Sequence, residues 1–177
     1  LKFHNGEDLK ADDVKFSLDR AIGSAAVSYL VDFIESVTIE DDYTVVIKTK
    51  APYAPALRNL AVPYAAIVPM DYVSANPDAL KTAPVGSGPY KFVSWSQNDN
   101  VKLEAFDDYY QGAPKTKYVE MKVIPEAAQR TIALETGEID IAYDLTTADA
   151  KRVASEKGLK RLEAPSLSCF YISCNTK

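Results

Sequence analysis

Apolar positions early in the chain repeat first with a helical period and then with a strand period. Val14, Ser17, Leu18, Ala21 and Ile22 recur at i, i+3, i+4, i+7 and i+8, which predicts a helix over Ala11–Ile22. Asp12 and Asp13 fall in its first turn, where the helix dipole favours anions, and Gly23 can end it. Val27, Leu30, Val31 and Ile34 suggest a second, shorter helix. The period then drops to two. Residues 36–40 and 43–50 alternate around Asp41-Asp42, the pattern of a β-hairpin, and residues 90–95 and 101–106 repeat it around a polar stretch at 97–100.

Elsewhere the pattern is set by caps and breakers. Residues 3–6 read as a strand end followed by an Asn-Gly turn. Pro52 and Pro55 open a short helix reaching Leu60, and residues 61–82, with Pro63, Pro69 and Pro77, read as irregular. Residues 118–124 form a further strand. Pro125 starts a helix to about Thr136, capped by Gly137, and Thr146 with Asp149 starts another to Lys157, closed by Gly158. Residues 138–142, 159–163 and 167–174 alternate as short strands. Helices and strands interleave, so the fold class is α/β, or mixed α+β.

The sharpest punctuation is Pro84-Val85-Gly86-Ser87-Gly88-Pro89-Tyr90. Glycine opens positive φ and proline presets its own φ, so the stretch predicts a turn returning the chain to its main sheet. It is not a phosphate loop, because no helix N-terminus follows it, and Ser87 lies directly between glycines, unlike a nucleophile elbow.

Composition narrows the function classes. A net charge of −5 without a basic run disfavours nucleic acid. No apolar run of about 18 residues exists to span a membrane. The eleven tyrosines suit an amphipathic surface or a pocket offering both rings and hydroxyls. The opening Leu1-Lys2-Phe3-His4 lacks Met and is already strand-like, as in a fragment or a processed chain. Cys169 and Cys174 lie on opposite faces of a strand-like run, about 17 Å apart, which argues against a mutual disulfide.

Catalytic chemistry is hard to assemble from these residues. His4, the one histidine, sits beside a turn and reads as a surface or hinge-packing residue. It has no cysteine or second histidine near it in sequence, so no metal site and no cofactor is expected. The adjacent pairs Asp12-Asp13, Asp41-Asp42 and Asp107-Asp108 diverge on any regular element, and helix-start and turn roles explain them. The expectation is a protein that is not an enzyme.

Several spaced motifs agree with one another. Phe3-His4-Asn5-Gly6 followed by Ala11-Asp12-Asp13-Val14-Lys15-Phe16-Ser17-Leu18-Asp19-Arg20 resembles the segment F-H-D-G … A-x-D-V-x-x-S-x-x-R of the extracellular solute-binding proteins of ABC transporters, peptide, dipeptide and nickel group (family 5). Residues 84–90 are similar to that family's P-V-G-T-G-P-Y. Residues 107–115 resemble its N-x-x-Y-W-x-G-x-P, and residues 124–140 its I-P-D-x-x-x-R-x-x-A-L-x-x-G-E-I-D. Asn175 matches an Asn that ends the next strand. The match runs in order over nearly the whole chain. Lys10 departs from the usual Thr or Ser at a helix-capping position, Asn5 replaces Asp, and Tyr110 replaces Trp.

The resemblance implies the first lobe of a two-lobed, periplasmic-binding-protein-like fold (type II, cluster C). Residues 11–83 would form an inserted α+β subdomain and residues 84–177 part of the main sheet, with the second lobe absent. It implies a substrate-binding component of an importer that takes oligopeptides or dipeptides in an interlobe cleft and delivers them to permease subunits. Nickel chelates, another small solute or a stand-alone protein-interaction module are the alternatives. It further implies an extracytoplasmic setting, periplasmic or as a cell-surface lipoprotein, membrane contact only through a lipid anchor or the permease, and a full-length monomer. The residues it places near the cleft are Val27, Ser28 and Tyr29; Val62, Pro63 and Tyr64; and Gly86, Ser87 and Gly88. Most peptide-backbone contacts would come from absent strands and the absent lobe, so the fragment alone is expected to bind solute weakly or not at all.

Overall fold

The computed structural model describes residues 1–156 and 158–164. Cys169, Cys174, Asn175 and the strand expected at 167–174 lie outside the described residues. The chain divides into two compact units, Leu1–Lys122 and Val123–Lys177.

In the first unit, helix α1 spans Ala11–Ile22, as its periodicity predicts, and α2 is a single turn, Ser28–Val31. Ile34 belongs to the following strand rather than to that helix, because a turn at Asp32 and Phe33 ends the helix and Ile34 pairs with Thr49. Strands β1 (Ile34–Asp41) and β2 (Thr44–Thr49) form an antiparallel hairpin, with Val37 opposite Ile47 and Ile39 opposite Val45. Leu18 and Ala21 of α1 bury against Val31, Ile34, Val37 and Ala65, and Val14, Val45 and Ile47 pack around them. Burial of a side chain such as Leu18 is worth about 1.5–3 kcal/mol. Ile22, the last helical position, is largely exposed.

The start of α1 needs no Thr or Ser at position 10. Asp13 reaches back and accepts the Lys10 N–H at 2.9 Å, and the Ala11 N–H goes to the Asp42 carbonyl at 2.8 Å. The second carboxylate oxygen of Asp13 accepts the Met70 N–H at 2.8 Å, and the Ser17 hydroxyl accepts the Val68 N–H at 3.0 Å. Ser17 donates in turn to the Asp13 carbonyl at 2.7 Å. Two buried polar side chains of one helix thus fasten a segment more than 50 residues away in sequence.

Helix α3 (Ala56–Leu60) follows Pro55, as expected. The stretch expected to be irregular carries a 3-10 turn at Pro63–Ala65 and two short helices, α4 (Met70–Ala75) and α5 (Ala79–Thr82). Pro69 and Pro77 precede helices here instead of breaking them, since a proline costs nothing where the amide would have no partner anyway.

Strands β3 (Tyr90–Ser96), β4 (Asn100–Ala105) and β5 (Tyr118–Lys122) form an antiparallel sheet in that order. Val93 is an extra residue on β3: Phe92 pairs with Leu103, while Ser94 pairs with Lys102 and Trp95 with Val101. The bulge puts Phe92 and Trp95, three apart, on one face. Val119 and Met121 continue that face on β5. The other face is polar, with Lys91 paired to Glu104 at 3.0 Å.

Residues 84–89 approach β3 as the sequence predicts, but Gly86 and Gly88 are not at positive φ. Gly6, Gly112, Gly137 and Gly158 are. His4, described below, instead holds Gly86 and Gly88 through their backbone groups.

In the second unit, α6 (Ala127–Glu135) starts just after Pro125, with Gly137 at φ 75° beyond its end. Helix α7 (Thr147–Ser155) is capped by Thr146, whose hydroxyl accepts the Asp149 N–H at 3.1 Å. Arg152 joins it to α6 through Glu135 at 2.6 Å. Arg130 gathers the connection between the helices, donating to the carbonyls of Ile124, Pro125 and Asp144. Residues 138–142 and 159–163 are not strands. Alternation makes a strand only where a neighbour accepts its hydrogen bonds, and these segments pair with no strand among the described residues.

Candidate functional site

The first unit contains a cleft of about 810 Å³. Three stretches far apart in sequence converge on it. The first is the end of α1 and the turn after it. Gly23 and Ser24 donate back to Asp19 and Ala21, and Ser28 to Ser24, so a compact turn presents Arg20, Ser24 and Val27. The second is the 3-10 turn, where Ala65 and Ala66 donate to Val62 and Pro63. It presents Pro63 and Tyr64, while Asp13 and Ser17 fix Val68 and Met70 just beyond. The third is the glycine stretch, where Val85 and Gly86 line the cleft. The apolar face of the β3–β4 hairpin forms the remaining wall, with Phe92, Trp95, Val101 and Leu103.

His4 ties the third stretch down. Gly86 donates its N–H to His4 Nδ1 at 3.3 Å, and His4 Nε2 lies 2.9 Å from the Gly88 carbonyl. Nδ1 accepts, so Nε2 is the nitrogen that donates to the Gly88 carbonyl. The ring packs edge-on to Phe106 at 5.1 Å, and Phe106 donates its N–H to the Pro89 carbonyl at 2.9 Å. The histidine is a packing and positioning residue, as its place beside a turn predicts. Tyr90 donates its hydroxyl to the Thr116 carbonyl at 3.1 Å, which fixes its ring at the start of β3.

Of the residues expected at a binding cleft, Val27, Pro63, Tyr64 and Gly86 line this one. Ser28 and Tyr29 belong to α2 beside it, with Tyr29 73% exposed. Val62 packs against the core under α1. Ser87 and Gly88 follow Gly86 outside the lining, with the Gly88 carbonyl engaged by His4. Arg20, Lys81, Phe92 and Trp95 line the cleft without having been expected there. Phe92 and Trp95 reach one face only through the bulge at Val93, which leaves no periodic signal.

The lining offers apolar surface, aromatic rings with free edges and two cations. A concave, largely apolar site with a few polar groups is the form small-molecule sites take. No carboxylate lines it among the described residues. Among the described residues no group of three or more His, Cys, Asp or Glu could hold a metal ion.

With this geometry in hand, comparison places the chain. Residues 1–177 match the family model of the bacterial extracellular solute-binding proteins, family 5 (middle part). The chain belongs to that family. Among its relatives, the glutathione-binding protein GsiB of Pectobacterium atrosepticum is 34% identical over 179 residues, covering 99% of this chain and 35% of the relative. The oligopeptide-binding protein AppA of Bacillus subtilis is 33% identical over 189 residues, covering 100% and 34%. The solved structure of the binding protein AgaA of A. tumefaciens R10, in complex with agropinic acid, superposes with a TM-score of 0.83 at 32% identity, covering 88% of this chain and 33% of that one. The chain spans about a third of the length of the curated relatives it matches. The mixed α/β fold is that of the family 5 binding proteins, and these relatives bind solutes rather than transform them.

Proposed function

We propose that this chain is part of the substrate-binding component of an ABC-type importer, taking oligopeptides or dipeptides and delivering them to membrane permease subunits. The observation that carries the reading is the convergence of Val27, Pro63, Tyr64 and Gly86 on one cleft, in a chain matched along its whole length by the family model. Residues 11–83 act as the inserted subdomain of the first lobe and residues 84–177 as part of its main sheet. The second lobe closes over the cleft from the remaining two-thirds of the polypeptide. The protein works outside the cytoplasm, as a monomer, and meets the membrane through a lipid anchor or through the permease. No helix of the described residues is long and apolar enough to cross a membrane. It catalyses no reaction and uses no cofactor.

The physics required is hinge closure with differential affinity. A solute with equal affinity for open and closed forms shifts nothing. Moving the two forms from 1:99 to 99:1 takes about 5.5 kcal/mol of preference for the closed one. A peptide supplies this by hydrogen bonding its main chain to both lobes, while Tyr29 and Tyr64, both exposed, offer rings to its side chains and hydroxyls to its polar groups. The isolated 177-residue chain, offering one wall, binds weakly or not at all.

Calorimetry with defined di-, tri- and pentapeptides on the full-length polypeptide tests the reading, with nickel–histidine chelates as a parallel arm. Micromolar or tighter binding of peptides is expected. Binding of the chelates with silence from every peptide would replace the peptide reading by the nickel one. Micromolar peptide binding by the isolated chain would show that one lobe suffices.

A further inference from the structure

The chain as a whole is acidic, with 25 Asp and Glu against 20 Lys and Arg. The cleft reverses that sign. Its charged lining residues are Arg20 and Lys81, and no carboxylate joins them among the described residues. The two cations differ. Lys81 is already met by Asp78 at 2.6 Å. Arg20, in the last turn of α1, has no hydrogen bond or ion pair through its guanidinium among the described residues. Arg20 is exposed, and the cleft that it borders is also lined by Tyr64, Phe92 and Trp95 with Val68 and Leu103, so the walls are aromatic and aliphatic.

An unmatched guanidinium at the edge of an apolar concavity attracts anions more strongly than one on open surface, because low-dielectric walls focus its field. Its planar fork takes both oxygens of a carboxylate at once. The rings lining the same cleft take the apolar part of the same solute.

Building on the solute-binding reading, we propose that this cleft selects anionic solutes, peptides bearing an acidic side chain above all, and that Arg20 is the group that reads the carboxylate. An arginine in a last helical turn also gains from the helix dipole. That gain bears on stability and is blind to the charge of the solute, which is how the two roles separate.

The test compares Ala-Glu-Ala, Ala-Gln-Ala and Ala-Lys-Ala by calorimetry on the full-length polypeptide at physiological salt. The glutamyl peptide should bind about tenfold tighter than the glutaminyl one, the scale of one charge-assisted contact. Arg20→Gln should bring that ratio to within about twofold, and Arg20→Lys should keep part of it, as a point charge without the fork. Lys48→Gln removes the same charge from the outer hairpin, where Lys48 pairs with Glu35, and should keep the full ratio. The ratio is taken within each variant, so a change in folded fraction cancels. An unchanged ratio in Arg20→Gln, an equal loss in Lys48→Gln, or preference for the lysyl peptide would overturn the proposal while leaving peptide binding intact. Failure of all three peptides to bind would overturn the peptide reading and this proposal with it.

Discussion

His4 and Gly86 hold each other by two hydrogen bonds. The Gly86 N–H goes to His4 Nδ1 at 3.3 Å, and the His4 backbone N–H goes to the Gly86 carbonyl at 2.8 Å. With the contact from Nε2 to the Gly88 carbonyl, one side chain near the start of the chain sets the path of residues 86–88 along the cleft. Replacing His4 by Phe keeps a ring against Phe106 but strands a part-buried N–H and a carbonyl. The loss should be about 1–3 kcal/mol, read as a lower urea midpoint with an unchanged m-value.

The same relationship reverses the usual expectation for glycine. A Cβ on Gly88 meets nothing within 4 Å, and one on Gly86 meets only His4 Cε1, at an ordinary 3.8 Å. Neither residue has positive φ, so Gly88→Ala should be neutral or stabilise by about 0.4–1 kcal/mol through the unfolded chain. Gly6, at φ 90°, is the opposite case, and Gly6→Ala should cost about 1 kcal/mol or more. Thermal melts of the two variants in parallel check the difference in sign.

Asp13 and Ser17 form a hub whose removal should be felt in the cleft without touching a solute. Asp13→Ala leaves the Lys10 and Met70 amides unpaired and should cost about 2–4 kcal/mol, and Ser17→Ala about 1–2 kcal/mol for the Val68 amide. The double variant should cost less than the sum, since both act on residues 68–70. Denaturation of the four members of the cycle measures this. Full additivity would show that the two side chains act independently.

The turn of the first hairpin gives a pH dependence. The Tyr43 N–H at 2.8 Å, and after it Thr44, hold the Asp41 carboxyl below its ordinary value. A folded value below the unfolded one stabilises above the unfolded value and loses that contribution as pH falls through the folded one. Asp41→Asn should therefore lower the melting temperature slightly at pH 7, and the gap should close as the pH falls below about 4. Asp41 is at the surface, so the effect is small and further reduced by salt. A gap that widened in acid would contradict the assignment.

How far the sequence spoke depended on whether local pattern or distant contact set each feature. Helix Ala11–Ile22 carried its own period and acidic first turn, and both hairpins carried their alternation, so each stands where it was expected. Residues 138–142 alternate as convincingly, yet strand pairing is a property of the partner, which a short segment does not encode. The helices at Met70–Ala75 and Ala79–Thr82 were hidden by Pro69 and Pro77, residues that serve helix starts as readily as loops. In the cleft, Tyr64 and Val27 came from the family resemblance, whereas the place of Trp95 depended on a bulge and the part given to Arg20 on its lack of a partner among the described residues. Neither feature has a local signature.

A crystal structure of the full-length polypeptide with a bound tripeptide tests the central claim most directly. The account predicts peptide atoms within about 4 Å of Val27, Gly86 and either Pro63 or Tyr64, with those residues on the wall facing the second lobe. A peptide bound elsewhere, with these residues in open solvent, would contradict it.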